Sequence, residues 1–324
     1  MEKEIPDEAR ERRRHEQRAS RRARRRRSLA GTVIAAVVVV GAVIALLAER
    51  SRSDSPQATP PSTRTVSSRS SHSRPPLSSA GSALRRIAPV AVPILMYHVI
   101  APPFADSPYP GLYVPPAEFA AQMLALKRAG YHAVTLDEVR RAWLAGAALP
   151  SRPVVLSFDN GYHSQYTVAF PVLRRLGWVG VENLQLSGLP VSQGGLSRRQ
   201  VRRLVAAGWE LDTQGFSHAD LVALDTAELR YQVAVARREM HRLYGVPVDW
   251  FCYPSGYYDD TVVAEVRAAG YVGATTVVAG VARSSDDPYR LPRLRVLGGT
   301  TPAELLAMIA DARYAGPAPD AYPG

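Results

Sequence analysis

From residue 89 onward the chain alternates short, uninterrupted apolar runs with stretches whose apolar positions recur every three to four residues. The first kind reads as strands buried on both faces, the second as helices packed against them. The strand runs are Val92 to Tyr97, Val154 to Phe158, Val179 to Leu186, Trp209 to Asp212, Trp250 to Cys252, Val272 to Thr276 and Leu294 to Val296. Phe119, Met123 and Leu126 form one helical stripe; Leu229, Val233, Ala236, Met240 and Leu243 form another.

The punctuation agrees with this alternation. Capping boxes open helices at Thr135/Glu138, Ser197/Gln200 and Thr301/Glu304, with an aspartate version at Asp225/Glu228. Helix ends repeat a glycine-aromatic step at Gly130-Tyr131, Gly177-Trp178, Gly208-Trp209 and Gly270-Tyr271, where a left-handed glycine turns the chain into the next strand. Strand, helix and glycine reset in repetition predict a (β/α) barrel or a doubly wound sheet.

A different pattern precedes residue 89. Leu29 to Ala48 is twenty residues without a charge, enough at ~1.5 Å per residue to cross the roughly 30 Å hydrocarbon core. The arginines before it put the N-terminus in the cytoplasm by the positive-inside rule. A cleaved secretory signal and a twin-arginine signal are the competing readings, but no small-x-small cleavage site follows the run. Residues 49–88 are Ser-, Pro- and Arg-rich and predict a disordered tether about 35 Å in mean span. The expected organisation is a cytoplasmic Arg-rich tail (1–28), a transmembrane helix (29–48), a linker (49–88), a globular domain (89–315) and a short tail (316–324), which makes a single-pass protein of the cell membrane with its domain outside.

Charge sharpens that division. The net charge of +11 is +6 from residues 1–28 and +5 from 49–88, whereas residues 89–324 carry 21 basic and 21 acidic residues. A neutral domain argues against nucleic acid as a partner despite the overall basicity. Cys252 is the only cysteine, so no internal disulfide forms.

Polar groups gather at four expected strand ends: His98 after PILMY, Asp159 and Asn160 after VVLSF, Gln214 and His218 after ELDT, and Tyr253 to Gly256 after WFC. In a barrel these ends converge on one mouth, where carboxylate, imidazole and tyrosine suit acid/base hydrolysis with or without a metal. A glycoside hydrolase would need a second carboxylate, for which Asp212 is the candidate. Cys252 itself reads as a small buried apolar residue.

The order PILMYH, SFDNGY, TQGFSHADL and FCYPSGYYD, spread over residues 90 to 300, resembles the NodB-homology polysaccharide deacetylases of the LMYH-type subgroup. The resemblance implies a distorted (β/α) barrel that removes N-acetyl groups from a cell-envelope polysaccharide with the help of a zinc-like divalent ion. It implies that Asp159 is the catalytic base, His98 the general acid and His218 a metal ligand. Tyr253, Pro254 and Tyr162 are the expected substrate contacts, with a backbone N–H near Tyr253 for the oxyanion. Asn160 and Gln214 stand where the family places an aspartate and a histidine that bind the metal. One imidazole with two neutral amides is a poor donor set for such an ion. Asp212 and His163 are candidates for recruitment as substitute ligands, and substrate and water could instead complete a weak site around His218. Two functions are therefore expected: a membrane-anchored glycan deacetylase with an altered metal site, or a related protein that binds N-acetylated glycan without cleaving it.

Overall fold

The structure is a computed structural model of the 324-residue chain and describes residues 91–107, 109–189 and 194–311. The expected cytoplasmic tail, membrane span, linker and C-terminal tail lie outside the described residues. Among those described, no helix is long and apolar enough to cross a membrane.

Eight strands form one parallel sheet: β1 Ile94–Tyr97, β2 His132–Val134, β3 Pro153–Asn160, β4 Val181–Leu184, β5 Glu210–Thr213, β6 Trp250–Cys252, β7 Gly273–Ala279 and β8 Leu291–Arg295. Because β1 pairs with both β3 and β8, seven of them close into a barrel in the order β1, β3, β4, β5, β6, β7, β8. The closed barrel, not the open doubly wound sheet, is the outcome of the two architectures the pattern allowed. All seven expected strands are in the ring. The eighth, β2, pairs only with the start of β3, and its three residues, two of them half-buried, are too few to show a pattern.

Eight helices surround the ring: α1 Pro116–Arg128, α2 Leu136–Ala145, α3 Phe170–Arg175, α4 Arg198–Ala206, α5 Thr226–Arg230, α6 Ala236–Tyr244, α7 Asp260–Ala268 and α8 Pro302–Ala310. Widened π turns run into α3 (Gln165–Ala169) and join α5 to α6 (Tyr231–Val235). All three capping boxes form, and Asp225 caps α5 by accepting from the Ala227 and Glu228 N–H groups. The four expected glycines have φ between +70° and +89°. At α1, α3 and α4 the residue after the glycine donates back to the helix, for example Tyr131 N to Leu126 O at 3.0 Å, which completes the Schellman pattern.

Successive residues of a strand point to opposite sides, so each strand serves two cores. Leu95, Tyr97, Leu156, Phe158 and Leu294 face outward to the helices. Ile94, Val155, Val181, Trp250 and Leu291 face inward and fill the lower barrel, where Leu136 and Val139 of α2 join them. Helix α2 therefore plugs the amino-terminal end. The upper interior, at the carboxyl ends, is left to polar residues.

Candidate active site at the barrel mouth

Strand β3 is buried along its whole length, and its inward positions run Val155, Ser157, Asp159. The third of these reaches the mouth, followed by a tight turn in which Asn160 has φ +77° and Gly161 φ +86°. A Cβ on Gly161 would land on Leu184 Cδ1, so only glycine lets this turn lie against β4.

Asp159 is 1% exposed and saturated with donors. Arg293 of β8 forms a two-pronged ion pair with it, Nη1 to Oδ1 and Nη2 to Oδ2, both at 2.8 Å. Asn183 Nδ2 of β4 adds a bond of 2.8 Å to Oδ1. His98 Nε2 lies 3.9 Å from Oδ2, and Cys252 Sγ is 3.6 Å from the same oxygen and 3.3 Å from Arg293 Nη2. Arg293 also donates Nε to Thr276 O and Nη1 to Ser157 Oγ, so its guanidinium is fully engaged.

These contacts set the charge states. Burial alone would raise the Asp159 pKa, but the charge and hydrogen bonds of Arg293, with help from His98 and Asn183, outweigh it and hold the carboxyl well below the usual range. His98 is lowered to about 4, by burial first and then by Arg293, Arg295 and His218, with only Asp159 opposing. His98 is accordingly neutral near pH 7, and it would have to take up a proton in the course of a reaction before passing one to a departing amine. His218 is also lowered by burial. Burial pushes the Cys252 thiol up to about 12, and the Tyr162 hydroxyl up to about 12 with the added effects of Tyr113 and Asp159.

The mouth thus gathers Asp159, His98, His218 and Tyr162, but not every expected residue. Tyr253 is packed in the outer core: its ring stacks on Tyr258 and its hydroxyl donates to Tyr289 O. Its backbone N–H donates to Thr275 O, and Pro254, which is buried, has no N–H to offer. Neither side chain is placed for the expected sugar contact, and neither residue has a free N–H of its own to offer an oxyanion. The reason is alternation: Cys252 points inward, so Tyr253 points out. Cys252 is therefore part of the polar centre and not a mere apolar filler. Asp212 does not join Asp159. It accepts from the Trp250 N–H and is raised, after burial, by Glu210, whose carboxylate caps the start of α2. His163 is exposed, with Nδ1 against Gln200 Nε2.

Arg293 and Asn183 were missed at the sequence level. Arg293 sits one residue before the expected strand Leu294 to Val296, and an arginine flanked by Leu291, Pro292 and Leu294 is itself the signal of a buried partner carboxylate.

For a divalent ion, the residues at the positions the resemblance assigns are Asn160, Gln214 and His218. Gln214 Oε1 is buried with no partner among the described residues, so it is a free acceptor. It carries no charge, however, and the one carboxylate nearby is neutralised by Arg293. No group of three or more His, Cys, Asp or Glu able to hold a metal ion occurs among the described residues. The donors present do not fit a zinc-like ion, which draws its affinity from carboxylate and imidazole ligands.

Comparison with known proteins agrees with this architecture. Residues 146–274 match the family model for polysaccharide deacetylase. The Bacillus subtilis protein YxkH, which carries a polysaccharide deacetylase name, is 26% identical over 212 residues, 65% of this chain and 73% of its own. The poly-beta-1,6-N-acetyl-D-glucosamine N-deacetylase of Escherichia coli is 42% identical over 60 residues, which is 18% of this chain and 9% of that enzyme. Among solved structures, the Streptococcus pyogenes deacetylase PplD, in complex with acetate, superposes with a TM-score of 0.62 at 26% identity, covering 68% of this chain and 99% of that one. A polysaccharide deacetylase from Bacillus cereus gives 0.61 at 26% identity, covering 68% and 69%. The closed barrel, the inward aspartate on β3 and the match over residues 146–274 together show a polysaccharide deacetylase domain in this chain.

Proposed function

We propose that the domain binds an N-acetylated cell-envelope glycan at the barrel mouth and does not hydrolyse it through a bound metal. The observation that carries this reading is the charge balance of the centre. The Asp159 carboxylate is paired on both oxygens with Arg293, and the remaining donors, Asn160, Gln214 and His218, are neutral. A divalent cation entering there would lose its hydration shell with no net negative charge in return.

A second reading, slow deacetylation, is favoured by one specific contact, the approach of His98 Nε2 to Asp159 at 3.9 Å, since an imidazole and a carboxylate side by side can accept a proton from a bound water. The run of twenty apolar residues behind an arginine-rich tail supports placing the domain outside the membrane on its tether.

Metal content and acetate release from N-acetylglucosamine oligomers separate the two readings when wild type is compared with the double variant Asn160→Asp/Gln214→His. Wild type is expected to bind oligomers, purify without stoichiometric metal and release little or no acetate; the double variant is expected to bind zinc and gain thermal stability with it. Stoichiometric metal in wild type, or acetate release that the double variant does not improve, overturns the proposal.

A further inference from the structure

The exposed apolar residues of the domain are not scattered. Of the six large ones exposed among the described residues, Phe104, Val222, Tyr231 and Val278 lie at or beyond the carboxyl ends of strands, on the side of the mouth. Two belong to aromatic pairs. Phe104 stands edge-on to Tyr113 at 6.0 Å, and Tyr113 bridges to Val99 just above β1. Phe216, two residues before His218, is tilted on Tyr231 at 4.5 Å. Each outer ring is well exposed, Phe104 at 62% and Tyr231 at 45%, although each has a neighbour that could have covered it.

The pairs follow β1 and β5. These strands are separated by two members of the ring one way and three the other, so they stand on opposite sides of a barrel about 14 Å across. An aromatic pair therefore follows a strand on each of two opposite sides of the ring, with a separation greater than one sugar ring spans.

Charge narrows the occupant further. The segments that follow six of the seven ring strands, 98–115, 159–164, 185–197, 214–225, 253–259 and 296–301, contain no lysine or arginine in a chain that has 40 of them; the segment after β7, 280–290, carries Arg283 and Arg290, which are engaged with the Val281 carbonyl and with Asp260 and Asp287. Strand β8 brings two arginines toward the centre: Arg293 is spent on Asp159, and Arg295 lies close enough to His98 to lower its pKa, so the positive charge of the mouth sits at its middle and not at the two aromatic ends. The same segments carry aspartates. Asp225 and Asp259 cap helices, whereas Asp106 and Asp220 are exposed, two residues from Phe104 and four from Phe216. Each aromatic end therefore offers a ring face and a carboxylate.

We infer that the mouth is a two-ended groove for an amino-sugar polymer bearing free amines, with Phe104/Tyr113 and Asp106 at one end and Phe216/Tyr231 and Asp220 at the other. A pyranose stacks its C–H face on an aromatic ring, and an ammonium beside that ring gains both cation–π attraction and an ion pair. At both ends a chain carrying carboxylates or phosphates meets the like charge of Asp106 and Asp220. The inference rests on glycan binding at this site and specifies which glycan.

The test is equilibrium binding of the full chain to hexamers of N-acetylglucosamine, partly deacetylated hexamers and hyaluronan fragments of equal length, with dimers for comparison. The partly deacetylated hexamer is expected to bind about three-fold more tightly than the fully acetylated one at low salt, a preference that high salt removes. Phe104→Ala and Tyr231→Ala are each expected to weaken hexamer binding about five-fold without lowering the unfolding temperature. Asp106→Asn with Asp220→Asn is expected to erase the preference for free amines while leaving the acetylated hexamer bound. Equal affinity for hyaluronan, or hexamer binding unchanged by both aromatic variants, overturns this inference and leaves glycan binding standing. If no glycan binds wild type, both fail together.

Discussion

Asp159 and Arg293 show how much a single buried pair controls. An arginine that is 1% exposed in a barrel interior is tolerated because both prongs meet a carboxylate and the remaining donors meet Thr276 and Ser157. Replacing it leaves a buried, uncompensated charge, so Arg293→Met should destabilise the domain by about 3–5 kcal/mol in urea unfolding, and adding Asp159→Leu should recover much of that loss. An additive double variant would deny the coupling. The sign of the pH effect follows from the direction of the shift. Asp159 is lowered in the fold, so the pair's contribution is complete above the ordinary carboxylate pKa of ~3.9 and is lost as pH falls below it. His98 is lowered to about 4 from an ordinary value of ~6.5, so the unfolded chain takes up this proton first, and stability is lost as pH falls between those values. The stability of wild type minus that of His98→Asn should therefore drop by about 1.4 kcal/mol per pH unit across that window. A difference that stays flat from pH 7 to pH 4.5 would place His98 in water.

At the level of elements, the glycines separate turns set by conformation from turns set by contact. Gly177 has φ +70° and open space around its missing Cβ, whereas Gly161 has φ +86° and Leu184 in the way. Gly177→Ala should cost about 1 kcal/mol, the conformational share alone. Gly161→Ala should cost about 2–4 kcal/mol, because Leu184 of β4 must also move, and should disturb glycan binding through the Asp159 turn. Equal losses in thermal unfolding would show that Leu184 yields to the added methyl without cost. The same contrast explains what could be read in advance. Caps and reset glycines are local, so Thr135, Ser197, Thr301 and the four glycine-aromatic steps were legible one by one. Inward and outward alternation is not local: it sent the Tyr253 ring to the outer core and Cys252 to the polar centre, and only closure of the ring revealed which side was which. Arg293 and Asn183 needed the same closure, since they meet Asp159 from β8 and β4. Glu182 remained invisible for a related reason. Its carboxyl is 1% exposed, with both oxygens unpartnered among the described residues and its pKa raised by burial and then by Asp159, yet nothing in VENLQL separates it from a surface glutamate.

Across the whole molecule, basic charge is kept away from the mouth twice over. It is absent from the segments that follow six of the seven ring strands, it collects on helix faces such as Arg198, Arg199, Arg202 and Arg203 of α4, and its net excess lies wholly within residues 1–88. A mouth whose ends repel anions can thus coexist with an N-terminal region that carries the chain's excess of arginine. The division implies that the two parts are separable in energy. Among the described residues, the buried apolar residues of the three core clusters run from Val92 to Ile309, and residues 89–324 balance their own charge with 21 basic and 21 acidic residues. A chain restricted to residues 89–324 should therefore be recovered in the soluble fraction, unfold at the same urea midpoint as the domain in the full chain and bind the same hexamers. The full chain should resist extraction from membranes at alkaline pH, as expected for a span of twenty apolar residues, where a surface-bound basic tail would be released. If the shortened chain aggregates or unfolds at lower urea, residues 1–88 contribute to the barrel itself, and the charge boundary near residue 89 is not a folding boundary.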